Sequence, residues 1–121
     1  SLAEAMATGL PAIVCPWTSM TDLVPDERHG YHVRYQQIDS VWEWEDSDGF
    51  GTPMVANVKV ANPDTDHLGD LMLEVLRNTD EAFTRGRAGS ERIRTQFTWK
   101  RCGHSLRKVV EEVYEQVSVA A

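Results

Sequence analysis

The residues able to do chemistry are thinly spread along this chain. Glu4 stands near the start of an alanine-rich stretch, Leu2-Ala3-Glu4-Ala5-Met6-Ala7, where a first-turn carboxylate is favoured by the positive end of a helix dipole. Two Asp-x-Asp pairs, Asp46-Ser47-Asp48 and Asp64-Thr65-Asp66, offer hard carboxylates to a divalent ion. The pattern is too short to be specific: Asp64 and Asp66 read more economically as a helix cap and a first-turn charge, and Asp46 and Asp48 as polar loop residues. An EF-hand fails because Trp44 occupies its first ligand position. His29 and His32 form a lone H-x-x-H without further nearby His or Cys, which reads as loop surface. Cys102 and His104, at i and i+2 of a helix, point to different faces and make a poor nucleophile and base pair. The stretch from Arg85 to Lys108 holds eight basic residues against Glu91 alone; it reads as solvated helix faces, with an anionic membrane or a phosphorylated acceptor as the other candidate partner.

These residues need elements to hold them. Leu2 to Ala7 reads as a helix stopped by Thr8-Gly9 and Pro11. Ala12-Ile13-Val14-Cys15, closed by Pro16, has the continuous apolar character of a strand buried on both faces. Met20 to Val24 forms a helical turn, and Tyr31 to Tyr35 a second strand. From Gln36 to Asn62 no helical pattern persists and three Gly or Pro breakers intervene. This part reads as an irregular loop or insertion, with room for a short strand at Met54-Val55. Within it Asp48-Gly49-Phe50-Gly51-Thr52-Pro53 reads as a glycine turn and not a phosphate cradle, because strand-like Val58-Lys59-Val60 follows where a helix would be needed.

The remainder, 64–118, is helical. Asp64 or Thr65 caps a helix with Leu68, Leu71, Met72, Val75 and Leu76 inward. A second runs from Asp80 to about Thr95 with Ala82, Phe83, Gly86 and Ile93 inward, its glycines permitting close approach. Thr98 caps a third, whose stripe of Leu106, Val109, Val110, Val113, Tyr114 and Val117 should pack along the domain. Helix, tight turn and buried strand imply an α/β fold. Two or three strands cannot complete a doubly wound sheet, so the 121 residues read as part of a domain.

Composition narrows the function classes. A formal charge of −7, from 12 Lys and Arg against 19 Asp and Glu, argues against a nucleic-acid binder. Two distant cysteines, Cys15 and Cys102, suit a reducing compartment, and the first 27 residues lack the Lys or Arg of a secretory signal. No run approaches the ~18 apolar residues of a membrane span. The expected place is the cytoplasm. The start at Ser1, running directly into a helix, is that of a chain cut open.

The string Glu4-Ala5-Met6-Ala7-Thr8-Gly9-Leu10-Pro11-Ala12-Ile13-Val14 resembles the E-A-M-A-x-G-x-P-V-I signature of family 4 retaining glycosyltransferases, which have the GT-B fold. The likeness continues through Gly30-Tyr31, through Pro63-Asp64 with Leu68 and Leu71-Met72, and through Phe97-Thr98-Trp99. It covers most of the chain outside 36–62. The resemblance implies a Rossmann-like C-terminal donor domain and transfer of a sugar, with retention of configuration, from a nucleotide-diphosphate sugar to an unknown acceptor.

By the same resemblance Glu4 is the second of two donor-pocket glutamates, the one that binds the ribose hydroxyls, as an ionised carboxylate can. The first would precede Ser1. Ser1 and Leu2 then stand where backbone N–H groups meet the diphosphate. No cofactor and no obligatory metal are implied, since basic side chains and helix N–H groups neutralise the leaving diphosphate. Those basic residues lie in a missing N-terminal portion, so the isolated fragment is expected to be inactive. The chain departs from the family at Trp17-Thr18-Ser19-Met20, where glycines are common near the sugar. Asp22 carries no assignment. The competing class is a non-catalytic α/β interaction module that recruits a protein through its helices and through Trp42, Trp44 and Phe50.

Overall fold

The computed structural model describes residues 1–44 and 54–119, with side chains over 1–41 and 57–117. Helix α1 (Leu2–Ala7) ends where sequence punctuation demands it: Gly9 takes φ +91° and donates its N–H to Met6 O at 2.9 Å. Pro11 follows, and the chain enters β1 (Ile13–Val14). Helix α2 (Met20–Leu23) carries it back to β2 (Tyr31–His32), which pairs parallel with β1, Ile13 opposite Tyr31 and Val14 opposite His32.

Both strands are shorter than their apolar runs. After Val14 the chain turns at once, with Trp17 N–H donating to Cys15 O at 2.7 Å. The run Tyr31 to Tyr35 breaks at Arg34, whose N–H donates to His67 Nδ1 at 3.0 Å and whose carbonyl accepts from Asp64 N–H at 2.8 Å. With both backbone groups engaged by the start of the next helix, Arg34 cannot continue the parallel ladder.

The expected irregular loop over 36–62 is corrected. Strands β3 (Tyr35–Trp44) and β4 (Met54–Pro63) pair antiparallel in unbroken register from Tyr35 opposite Pro63 to Trp44 opposite Met54. The order is period two: Ile38, Ser40, Val58 and Val60 share one face, with Ile38 opposite Val60, while Asp39 opposes Lys59 on the other. The breakers Gly49, Gly51 and Pro53 fall between the paired residues. Asp46-Ser47-Asp48, the glycine turn and Phe50 lie outside the described residues, as do the side chains of Trp42 and Trp44.

Helix α3 (Thr65–Arg77) is capped by Asp64, whose side chain accepts from His67 N–H at 2.9 Å. Helices α4 (Thr79–Gln96) and α5 (Trp99–Val119) complete the chain. The described residues thus form a mixed α/β fold with two sheets of two strands.

The parallel pair separates two small cores. Met6, Ala12, Val14, Val24 and Ile93 form one, with Leu2 and Met20 packed against it. Tyr31, Val33, Leu71 and Ala82 form the other, with Ile13, Leu68 and Val75. Neighbours Ile13 and Val14 therefore serve opposite faces. Helix α4 reaches both, presenting Ala82, Gly86, Gly89 and Ile93. A Cβ on Gly86 would collide with Gly9 O, and one on Gly89 would lie 2.9 Å from His29 O. Small residues thus set how closely α4 approaches.

Several expected inward residues are exposed. Phe83, next to Ala82, falls outside the narrow face that α4 presents, and Met72 and Leu76 fall outside the Leu68, Leu71, Val75 line that meets the two-stranded sheet. The α5 stripe does not pack along the domain either: Leu106, Val109, Val110, Val113, Tyr114 and Val117 are all more than half exposed.

Candidate functional site

Glu4 lies in the first turn of α1, with Ser1 at the N-cap. Its carboxylate is open to solvent. Ser1 is exposed, whereas the Leu2 side chain packs against the first core. One helical turn below, Met6 is buried and fixes the helix that carries Glu4.

At the end of β1 a cleft of about 490 Å³ opens between the α/β body and the ribbon. Cys15, Trp17, Thr18 and Met20 line one side, Val58, Val60 and Pro63 the other. Trp17 meets Tyr35 edge to face at 5.6 Å, and Thr18 is held at φ +51°, the left-handed region a β-branched residue rarely enters. Burial pushes the Cys15 thiol above its ordinary value. Sequence reasoning placed Trp17 to Met20 near the sugar only through departure from a pattern. It missed the cleft because the opposite wall comes from the ribbon.

The other candidates resolve into structural roles. Asp64 is the α3 cap, held below the usual aspartate range by the His67 N–H, with Arg34 Nη2 at 3.1 Å. His29 Nδ1 pairs with Asp26 Oδ1 at 2.8 Å, and His32 Nε2 meets Val24 O at 2.9 Å. The two histidines thus serve separate partners. Cys102 and His104 are exposed on α5. Among the described residues no three His, Cys, Asp or Glu side chains converge on a common point, and no helix is long and apolar enough to cross a membrane.

Three of the eight basic residues of the run bind the fold together. Arg85 lies over the Tyr31 ring at 4.2 Å and pairs with Glu81 at 2.8 Å. Arg92 donates to Asp22 O at 2.7 Å, and Arg94 to Ala7 O at 3.0 Å. These three guanidinium groups reach the protein's own backbone and side chains, Arg94 from an exposed position, while Arg87, Lys100, Arg101, Arg107 and Lys108 lie on exposed helix faces as the charge run suggested. No family model, no curated protein and no solved structure matches the chain.

Proposed function

We propose that this chain supplies part of the donor site of a retaining nucleotide-sugar glycosyltransferase, as the C-terminal share of a Rossmann-like GT-B donor domain. The observation that carries the reading is how Glu4 to Val14 is built. A short helix with an exposed first-turn glutamate leads through a left-handed Gly9 into a buried strand of a parallel pair. In this reading Glu4 accepts hydrogen bonds from the two ribose hydroxyls, with Ser1 and Leu2 as its companions beside the diphosphate. The tight turn reverses the chain, so the start of α1 shares an edge of the sheet with the end of β1, the edge where α/β sheets take ligands. In the transfer the bond from anomeric carbon to diphosphate oxygen breaks and the acceptor oxygen bonds to that carbon on the same face. The acceptor's proton departs with the nucleotide diphosphate. A cytoplasmic, reducing setting, with Cys15 and Cys102 as free thiols, belongs to the same reading.

The test is calorimetric titration of nucleoside diphosphates into the full-length gene product that contains this chain. Glu4→Ala is expected to weaken binding by about 10- to 100-fold, as loss of charge-assisted hydrogen bonds does, with an unchanged circular dichroism spectrum. Wild-type protein that binds no nucleoside diphosphate, or a Glu4→Ala variant that binds as wild type, overturns the reading. The exposed stripe of α5 favours a second reading, a non-catalytic interaction module. Such a module binds no nucleoside diphosphate, so the same titration separates the two.

A further inference from the structure

Arg34, Asp64 and His67 are joined in a closed ring of hydrogen bonds. Asp64 N–H donates to Arg34 O at 2.8 Å, Arg34 N–H to His67 Nδ1 at 3.0 Å, and His67 N–H to Asp64 Oδ1 at 2.9 Å. In an ordinary capping box the side chain at the third helical position reaches back to the N–H of the cap residue. Here the backbone of Arg34 is inserted between the two, and the Arg34 side chain also pairs with Asp64 Oδ2 at 3.1 Å. Arg34 directly precedes β3 and Asp64 directly follows β4. The ring therefore fastens both feet of the ribbon to the start of α3.

One member of the ring can change its role. Nδ1 of His67 accepts only while the imidazole is neutral with its proton on Nε2, and a proton on Nδ1 turns the acceptor into a donor facing another donor. We propose that His67 is a pH-operated latch, closed by the neutral ring and opened by protonation, on the ribbon that walls the cleft beside Trp17. Closure excludes the proton, so the latch is favoured above the range of about pH 5 to 8 in which imidazoles change charge, and is lost as pH falls through it.

Charges of both signs surround the ring. The Arg34 guanidinium and the positive end of the α3 dipole oppose a charge on it, Asp64 favours one, and Asp66 and Asp70 are its neighbours along α3. Strand β1, packed against α3, brings only Ile13 and Val14. Helix α4 joins α3 farther along, in the core of Leu71, Val75 and Ala82, and its Arg85 and Glu81 pair with each other. Asp64 is held below the usual aspartate range by the His67 N–H and by Arg34. It therefore stays ionised while the imidazole titrates, and offers the new Nδ1–H an acceptor in competition with Arg34. One proton thus works against both the Arg34 N–H bond and the Arg34 ion pair. Val58, Val60 and Pro63 of β4 line the cleft, so loosening the feet of the ribbon frees that wall. The latch uses only this junction and stands or falls apart from the donor-site reading.

Hydrogen exchange read by mass spectrometry tests it, on the full-length gene product that contains this chain, with labelling times scaled to the intrinsic amide rate at each pH. Peptides covering 34–41 and 57–64 should exchange about 5- to 10-fold faster at about pH 5.5 than at about pH 8, as loss of such bonds allows, with peptides from α4 unchanged. His67→Asn, whose Oδ1 can take the place of Nδ1 and does not titrate, should abolish that difference although His29, His32 and His104 remain. His67→Ala should leave the ribbon fast at both pH values. Ribbon protection that is equal at the two pH values, loosening that extends equally to α4, or a His67→Asn ribbon as pH-dependent as the wild type overturns the proposal. So does a His67→Ala ribbon as well protected as the wild type at the higher pH.

Discussion

Arg94 donates its Nε–H to the carbonyl of Ala7 at 3.0 Å, across 87 positions of sequence. Ala7 is the last residue of α1, and its carbonyl is one of those a helix C-terminus leaves without an internal partner. Ser90 Oγ reaches the same oxygen at 2.9 Å, and Arg92 does the equivalent service for Asp22 in α2. Helix α4 therefore completes two short helices that could not stand alone. Arg94→Ala and Ser90→Ala are each expected to cost about 1 kcal/mol of unfolding free energy in urea titrations. Because each single variant leaves the other donor on the shared acceptor and the double variant strips both, the double variant should cost more than the sum.

The approach of α4 to the turn after α1 rests on a missing side chain. A Cβ at Gly86 would collide with Gly9 O and lie 3.1 Å from Leu10 C, both backbone atoms that cannot swing aside. Gly86→Ala is expected to destabilise by about 3 kcal/mol. Gly69, inside α3, has nothing within 4 Å of such a Cβ, and Gly69→Ala should instead stabilise by about 1 kcal/mol through helix propensity. Thermal unfolding of the two variants side by side checks both signs.

The contrast bears on what could be read before the structure was seen. The α1 stop at Gly9, the buried strand after Pro11, the Asp64 cap and the Ala82, Gly86, Ile93 face of α4 follow from local signals that each act within a turn or two. The ribbon did not, although Ile38-x-Ser40 and Val58-x-Val60 alternate with period two. A search for helical spacing passes over alternation, and Gly49, Gly51 and Pro53 count against order until they are seen to fall between the strands. The α5 stripe was legible as a stripe, but periodicity names an apolar face without naming what it meets. Glu4 could be placed at a helix start from its neighbours; the cleft wall formed by Val58 and Val60 lies more than 40 residues along the chain from Trp17 and leaves no local trace there.

Acid should weaken the fold in part through Asp26. Its carboxylate accepts from the Arg28 side chain at 2.8 Å, from the Arg28 N–H at 3.0 Å, and faces His29 Nδ1 at 2.8 Å. Led by the Arg28 side-chain bond, these contacts hold it far below the ordinary aspartate range. A carboxylate depressed in the folded state binds its proton more readily once unfolded, so its stabilisation is present above about pH 4 and is lost as pH falls toward the folded value. Urea midpoints measured from pH 7 down to pH 2 should fall less steeply in Asp26→Asn than in the wild type. Equal slopes would show that Asp26 gains nothing from its contacts.

Tyr31 buries its ring completely between β2 and α4, with the Arg85 guanidinium 4.2 Å from the ring centroid. Its hydroxyl has no hydrogen-bond partner among the described residues. The ring supplies the packing and the cation–π contact, and the oxygen adds a desolvation cost without a bond to offset it. Tyr31→Phe keeps the former and removes the latter, and should raise stability by about 1 kcal/mol. Tyr31→Ala, which empties the second core, should lower it by about 4 kcal/mol. Burial also holds the phenol above its ordinary value. The neutral form is thus the folded form, and its contribution is lost as pH rises past about 10, where the unfolded phenol ionises. Alkaline unfolding should accordingly start at lower pH in the wild type than in Tyr31→Phe, and a variant less stable than the wild type at pH 7 would mean that the hydroxyl is bonded after all.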